Sequence, residues 1–495
     1  MADEDAFTQA RGCFEEMLGW LEGTESAQLS HADLEDEIVR RGREAQRLAF
    51  QDHLDLRALR ERRVRVVDAQ GVAHGAVEAA HRRQLQTVVG AVGVERLAYR
   101  HVKSANLHPA DAALNLPDQL HSHGLRRLAA VESTRGSFDD ASQALERATG
   151  VAVAKRQVEY LTSRAAQDVE RFYETREHTD VDDADALVIS ADGKGIVMRP
   201  DSLREQTAKA AAAATNKLTT RLSKGEKRNR KRMAEVGAVY DVTPVLRTPH
   251  DVMASKTGED PSPEAPKAKN KWLTASVVED AAEVVGRLFD EAERRDPGHK
   301  RRWVALVDGN NHQIDRIGAE ARARGVEVAI VVDLVHVLEY LWAAAWCFFA
   351  EGDTAAEEWV RDRALSVLQG RAREVASGIY RRATAEGLAT SKRKKADEAA
   401  RYLKNKAPHL DYPTALSSGW PIATGVIEGA VRHVVRDRMD ITGARWSADG
   451  AEAVLKLRAI RANGDFDDYW RFHLDHERQR VHESRYARGV IPLAA

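Results

Sequence analysis

Apolar positions in residues 1 to about 65 recur at helical spacing among charged side chains, without proline and with few glycines after Gly23, which predicts helix. From Arg83 to Arg100 the pattern tightens to near alternation in QLQTVVGAVGVERLAYR. That predicts a β-hairpin with Gly90 and Gly93 at its turn. HPADAALNLP, residues 108 to 117, reads as a connector. From Asp118 to about Thr175 the helical period returns, punctuated at Gly136-Ser137 and Thr149-Gly150. Ser137 and Asp140 have capping-box spacing, so a helix is expected from about Phe138 to Ala148. A Thr-Gly-Val-Ala turn leads into a longer helix that opens with Lys155, Arg156 and Gln157. This pattern fits a helix-turn-helix that presents basic and amide side chains to DNA; it fits an ordinary helical hairpin equally well.

The period changes again at Ala186. LVISADGKGIV, GAVYDVTPVLR (237 to 247), RWVALVDG (302 to 309) and VEVAIVVDLVH (326 to 336) are strand-like runs, with helical segments near 275 to 295 and 313 to 324. Such an alternation predicts a mixed α/β sheet. Residues 255 to 271 have the composition of a flexible loop, and 352 to 410 form a charged block of helical period without strand signal. The longest apolar stretch, Val326 to Ala350, is broken by Asp333, His336 and Glu339, so it reads as a buried strand and helix rather than a membrane span.

Charge changes this picture only locally. With 75 Lys+Arg against 77 Asp+Glu the net charge is -2, so an anionic partner must be held by basic patches. One patch is a run containing Lys217, Arg221, Lys224, Lys227, Arg228, Arg230, Lys231 and Arg232 with a single acid, Glu226. It suits a phosphate-binding strip or a solvated loop. Two cysteines, Cys13 and Cys347, exclude a disulfide framework and a multi-Cys zinc site. The acidic, h-region-free start MADEDAFTQA and the absence of a spanning segment make a cytoplasmic location the expectation.

Three acids stand where a metal site needs them. Asp192 and Asp308 each follow a strand-like run, and Glu428 lies in the helical stretch TGVIEGAVRHVVRDRM. A carboxylate on a fixed strand end can hold Mg²⁺, which keeps waters for a phosphate substrate. Asp before Gly after a strand is also an ordinary turn former. Ile427, Val431, Val434 and Val435 define an apolar stripe, which sets Glu428, Arg432 and Arg436 at i, i+4 and i+8 on a neighbouring face. Asp333 and His336 form D-x-x-H at a strand-to-helix junction, where an aspartate also serves as a plain helix cap. Glu452 is a further acid in range, and Trp420 suits either base stacking or a core position.

Together the strings NLPDQLHSHGLRRLAAVESTRGSFDDA, ISADGKGIVMRP, RWVALVDGNNHQI, VVDLVHVLEYLWAAAWCFF and GWPIATGVIEGAVRHVVRDRMDITGARWS resemble the ISKra-type insertion-sequence transposases, over about residues 80 to 470. The resemblance implies a DDE enzyme of α+β multidomain build, with an RNase H-like mixed α/β core interrupted by an all-helical insertion. The expected organisation is an N-terminal helical region with β-hairpin (1–105), a helix-turn-helix DNA-binding region (106–178), the first part of the core (179–343), the insertion (344–417), the last part of the core with the Glu helix (418–475) and a C-terminal tail (476–495). It implies Asp192, Asp308 and Glu428 as catalytic and metal-holding residues for two Mg²⁺ ions, with Mn²⁺ as a substitute. It makes Asp333 and His336 resemble the C/D-x-x-H signature of Mutator-like transposases and their bacterial relatives.

On this reading the partners are double-stranded DNA, as element ends and target, and further copies of the chain in a dimer or higher assembly. Lys155, Arg156 and Gln157 would meet a DNA groove. Lys194, Arg432 and Arg436 would neutralise the scissile region, and the basic run and Trp420 would contact DNA. Other readings of the same residues are an RNase H-fold nuclease or resolvase that cuts without joining, and a domesticated DNA-binding protein without catalysis.

Overall fold

The computed structural model describes residues 6–176, 184–213, 230–254 and 263–492. Of the basic run, Lys217, Arg221, Lys224, Lys227 and Arg228 lie outside the described residues. The chain divides into two compact units, Met1–Thr175 with Gly464–Ala495, and Arg176–Asn463. The sequence-derived boundary at residue 475 runs through one continuous helix, Phe466–Val481.

The first unit opens with helices Thr8–Glu22 and His31–Arg60. The hairpin follows as β1 (Ala76–Thr87) and β2 (Gly90–Arg100), paired antiparallel. Its turn falls at Val88-Val89, just before Gly90 with its φ of +123°. Gly93, expected in that turn, stands in β2 opposite Gln84. Its backbone N–H and C=O are both bonded to the Gln51 side chain, at 2.7 and 3.0 Å, which ties the long helix to the strand. Leu54 of that helix packs with Leu85, Val92, Val94 and Leu116. Burying each such aliphatic side chain contributes about 1.5–3 kcal/mol.

Helices Phe138–Thr149 and Lys155–Ala165 are joined by a short turn, and helix His123–Ser133 packs on both. Ser137 and Asp140 form the reciprocal capping box, and Gly150 closes the first helix in the left-handed region at φ +72°. Lys155, Arg156 and Gln157 are all exposed in the first turn of the second helix, where Lys155 pairs with Asp139.

The second unit is built on five strands: β3 (Ala186–Val197), β4 (Lys231–Val242), β5 (Ala268–Ser276), β6 (Trp303–Val307) and β7 (Val328–Val332). Their order is β5-β4-β3-β6-β7, antiparallel through β5, β4 and β3 and parallel through β3, β6 and β7. Leu187, Val188 and Ile189 of β3 and Trp303 to Val307 of β6 are fully buried. Such unbroken apolar runs are what a strand covered on both faces requires. Helix Ala281–Arg295 packs on β4 so closely that a Cβ on Gly237 would stand 2.5 Å from Leu288 Cδ2.

The sheet departs from the sequence pattern in three places. β4 begins within the basic run, at Lys231, rather than at 237, so Lys231 and Arg232 are strand residues. β5 occupies part of the segment read as a flexible loop, because its exposed Lys-Asn-Lys start precedes the buried positions Trp272, Thr274 and Ser276, of which only the first is apolar. Asp192 does not end β3; the strand runs on through Gly193 to Val197, paired throughout with β4.

After β7 come helix Leu334–Ala345 and a helical block of Thr354–Leu368, Ala372–Ala385 and Thr390–Lys406. No helix among the described residues is long and apolar enough to cross a membrane.

Candidate metal centre

The sheet register brings the aspartates together. β3 and β6 pair Leu187 with Trp303 and Ser190 with Leu306, an offset of 116 residues that carries Asp192 level with Asp308. β6 and β7 pair Trp303 with Val328 and Val307 with Val332, an offset of 25 that carries Asp308 level with Asp333. The ladder continues this far, because the Asp333 N–H donates to Val307 O at 2.8 Å. Continued two residues past its last β3–β6 pair, this register sets the three aspartates on one rung across three parallel neighbours, with strand spacing of about 4.8 Å. The chain leaves β3 towards β4 and β5 and returns to β6 on the other side; Asp308 and Asp333 lie at the carboxyl ends of β6 and β7, where open α/β sheets bind ligands, while Asp192 lies within β3.

Each aspartate is held in the same way. Its Oδ1 accepts a backbone N–H just downstream: Gly193 for Asp192 at 2.6 Å, Asn310 for Asp308 at 2.7 Å, Val335 for Asp333 at 2.9 Å. This fixes the carboxyl group while leaving Oδ2 for other partners. For Asp333 these are His336 Nδ1 at 3.2 Å and the Thr424 hydroxyl at 2.5 Å. Asp333 is fully buried and caps the helix that carries His336, so the D-x-x-H motif serves as a cap and joins the cluster at once.

Glu428 reaches the rung from helix Gly425–Ala430. Thr424 Oγ1 lies 3.1 Å from its Oε1, so one hydroxyl, with a single proton, sits between two carboxylates. Donor atoms of Asp333, His336 and Glu428 lie within 4.8 Å of one another, close enough to hold one cation. The helix is anchored by Leu334 N–H donating to Ile422 O at 2.9 Å. Past Ala430 it takes a π turn, Val431–Arg436, before Asp437–Met439. Arg458 stabilises that turn by donating to Val434 O at 2.8 Å and to His433 O. A π turn advances more residues per revolution than an α turn, so the expected alignment of Glu428, Arg432 and Arg436 along one α-helical face does not hold. Both arginines are exposed, and Arg432 Nε lies 3.9 Å from Asp437.

Electrostatics reports the same gathering. Burial raises the Asp192 carboxyl above its ordinary range, and the charges of Asp308 and Glu428 add to the rise; the Gly193 N–H and His336 oppose it. Burial works against a charged His336, yet Asp333, Glu339 and Asp308 outweigh it and raise the imidazole. No lysine or arginine among the described residues pairs with Asp192, Asp308 or Glu428. A crowd of carboxylates without such partners can hold a cation.

The remaining candidates fall outside this rung. Lys194 pairs with Asp440 at 3.6 Å and Lys231 with the same acid at 3.8 Å. Trp420 is half-buried, and its carbonyl accepts from Arg247. Arg232 donates to Val278 O just past β5. Glu452 is bonded at the end of β5, where its oxygens accept from Ser276 Oγ and from the Val277 and Val278 N–H groups. Thr424 is a site residue that sequence reasoning misses, although its spacing four residues before Glu428 is a usable signal. Tyr402, which donates to Asp308 O at 3.1 Å, carries no such signal.

Neither a scan against protein-family models nor a search of the curated proteins returned a match.

Proposed function

We propose that this chain is a DDE transposase of an insertion sequence, with an RNase H-like catalytic core that binds double-stranded DNA ends, cleaves a phosphodiester and transfers the freed strand. The observation that carries the reading is the single rung on which Asp192 and Asp308 stand, with Glu428 brought to it by a separate helix. The mixed sheet and the helical block between β7 and the Glu428 helix support it, because the resemblance implies both.

Asp192 and Asp308 would hold two Mg²⁺ or Mn²⁺ ions through the oxygens turned away from their backbone N–H donors, with Glu428 completing the set. Such ions, when bound, supply the charge that stabilises the attacking and leaving oxygens of an in-line displacement. Their positioning falls to the chain. The Asn310 N–H fixes the Asp308 carboxyl, Thr424 sets the distance between Asp333 and Glu428, and His336 is held by Asp333 against the rung. An imidazole at that corner favours Mn²⁺ over the harder Mg²⁺ there. Lys194, Arg432 and Arg436 would meet DNA phosphates beside the site. Lys155, Arg156 and Gln157, exposed on the first turn of their helix, would meet bases in a groove.

The test is incubation of the purified chain with labelled duplex DNA carrying an end of its own element, in Mg²⁺ or Mn²⁺, beside Asp308→Asn. The expected result is metal-dependent cleavage and joined products with the wild type only. Cleavage without joining would instead make it a nuclease or resolvase. Binding without cleavage under either metal would make it a DNA-binding protein, and equal cleavage by the variant would move the site off Asp308.

A further inference from the structure

The helical block after β7 has, in the sequence, no chemistry of its own. Its last helix, Thr390–Lys406, nevertheless reaches the rung. Tyr402 donates its phenol to the main-chain oxygen of Asp308 at 3.1 Å. The same ring stacks on Tyr340, with centroids 3.9 Å apart and planes at 16°, and Tyr340 belongs to the helix capped by Asp333. Four residues on, Lys406 is buried and its ammonium group bonds Asn311 Oδ1, in the first turn after the Asp308 loop. Just past the block, the fully buried Tyr412 donates to Val332 O at 2.8 Å, next to Asp333. Between Asp308 and Asn310 the chain turns through Gly309, at φ +91°, where a Cβ would stand 2.6 Å from the Tyr402 hydroxyl. The loop that carries Asp308 is thus shaped against Tyr402, and each of two phenols holds the carboxyl end of one strand.

We infer that the helical block is a positioning element for the metal centre, with Tyr402 and Tyr412 fixing the backbone from which Asp308 and Asp333 present their carboxylates. The inference rests on the metal reading of the rung. Neither tyrosine is placed on the metal: each acts through a carbonyl, one step behind a carboxylate. Partners at that remove set metal affinity, and their loss typically costs 10–100-fold. Because these bonds reach the main chain and not the carboxylate itself, the expected loss is at the lower end, about 10-fold.

The experiment is titration of the full chain, without DNA, with Mn²⁺ alone, read by the electron paramagnetic resonance of free ion and by calorimetry. Wild type, Tyr402→Phe, Tyr412→Phe and Asp308→Asn are compared, with Tyr380→Phe, an exposed tyrosine of the same block, as control. Tyr402→Phe keeps the ring stack and loses only the hydroxyl. Expected are weaker Mn²⁺ binding by about 10-fold for Tyr402→Phe, loss of a site for Asp308→Asn and no change for Tyr380→Phe. Should Tyr402→Phe fail to fold, Tyr412→Phe reads the other strand end in the same way. Mn²⁺ affinity within two-fold of wild type for both phenylalanine variants, with Asp308→Asn still losing its site, overturns the inference and leaves the metal reading intact. No Mn²⁺ bound by the wild type, or a site indifferent to Asp308→Asn, overturns both.

Discussion

Two acid-rich places in this protein treat their charge in opposite ways. In the first unit, Glu477 and Asp168 are buried among bases. Glu477 accepts from Arg126 and Arg480, each at 2.8 Å, while Asp168 accepts from Arg480 at 2.9 and 3.0 Å and lies 2.6 Å from His473. In the second unit, Asp192, Asp308 and Glu428 have backbone and hydroxyl donors but no lysine or arginine paired with them among the described residues, and the charges of Asp308 and Glu428 act on Asp192. The carboxyl groups respond accordingly. Burial alone would raise Glu477, yet Arg126 and Arg480 bring it down to about 2, and His473 with Arg480 likewise holds Asp168 far below its ordinary range. Asp192 goes up. Matched charge makes a structural network; unmatched like charge stores a repulsion that a cation relieves.

The largest expected effect comes from breaking the matched network. Glu477→Ala leaves Arg126, itself only 2% exposed, buried without its carboxylate. Losing one partner of a buried pair costs about 3–5 kcal/mol, so denaturant unfolding should show a drop of that size, against no comparable loss for Asp308→Asn. Acid should do the same gradually. Because the Glu477 pKa is depressed on folding, its contribution is complete above the unfolded value of 4.5 and disappears as pH falls from there towards 2. Hydrogen exchange along helix Phe466–Val481 should therefore quicken through that window.

The unmatched rung should show the opposite sign at a smaller size. Asp192 has a raised pKa in the folded chain, so stability from this group falls as pH rises past the unfolded value and is lowest once the carboxyl is ionised. Asp192→Asn should accordingly stabilise the metal-free chain at neutral pH, by about 0.5–1 kcal/mol for one partly solvated charge. Mn²⁺ should raise the thermal midpoint of the wild type by more than that of the variant. A variant less stable than wild type at pH 7 without metal would sink the idea of stored repulsion.

How far the sequence foretells this contrast depends on the distance over which each feature is encoded. Continuous apolar runs make β3, β6 and β7 legible, and Ser137-x-x-Asp140 announces its helix, because both signals are local. β5 escapes notice since it opens on the exposed Lys269, Asn270 and Lys271 and buries Thr274 and Ser276 beside a single large apolar residue, Trp272. Asp192-Gly193 reads as a turn because the dipeptide is one elsewhere; only pairing with β4 keeps it extended. The acids themselves are visible as residue types, but the equality of offset that sets Asp192 level with Asp308 exists only once two strands are in register. Thr424 is hinted at only by its place four residues before Glu428; its bond to Asp333 spans 91 positions and that of Tyr402 to Asp308 spans 94, and no spacing rule reaches that far. The matched network is hidden for the same reason, since Arg126 and Glu477 are 351 residues apart.

The smallest effect on stability, and a separate one on function, is expected where charge is neither matched in a core nor crowded at a rung. Lys155, Arg156 and Gln157 stand exposed on the first turn of their helix, and the Lys155 pair with Asp139 is solvated on both sides. Replacing all three by alanine should leave the thermal midpoint where it is, because exposed side chains of this kind carry little folding energy. Affinity for element-end DNA should nevertheless fall. Each phosphate that is no longer neutralised should lower the slope of log affinity against log salt by about 0.9, so the two cations together account for a change of up to about 1.8. Gln157→Ala alone should leave that slope untouched and relax sequence preference instead, since an amide reads a base edge without neutralising a phosphate. If the triple variant keeps both its affinity and its salt slope, this helix does not meet DNA and the matched core behind it serves some other surface.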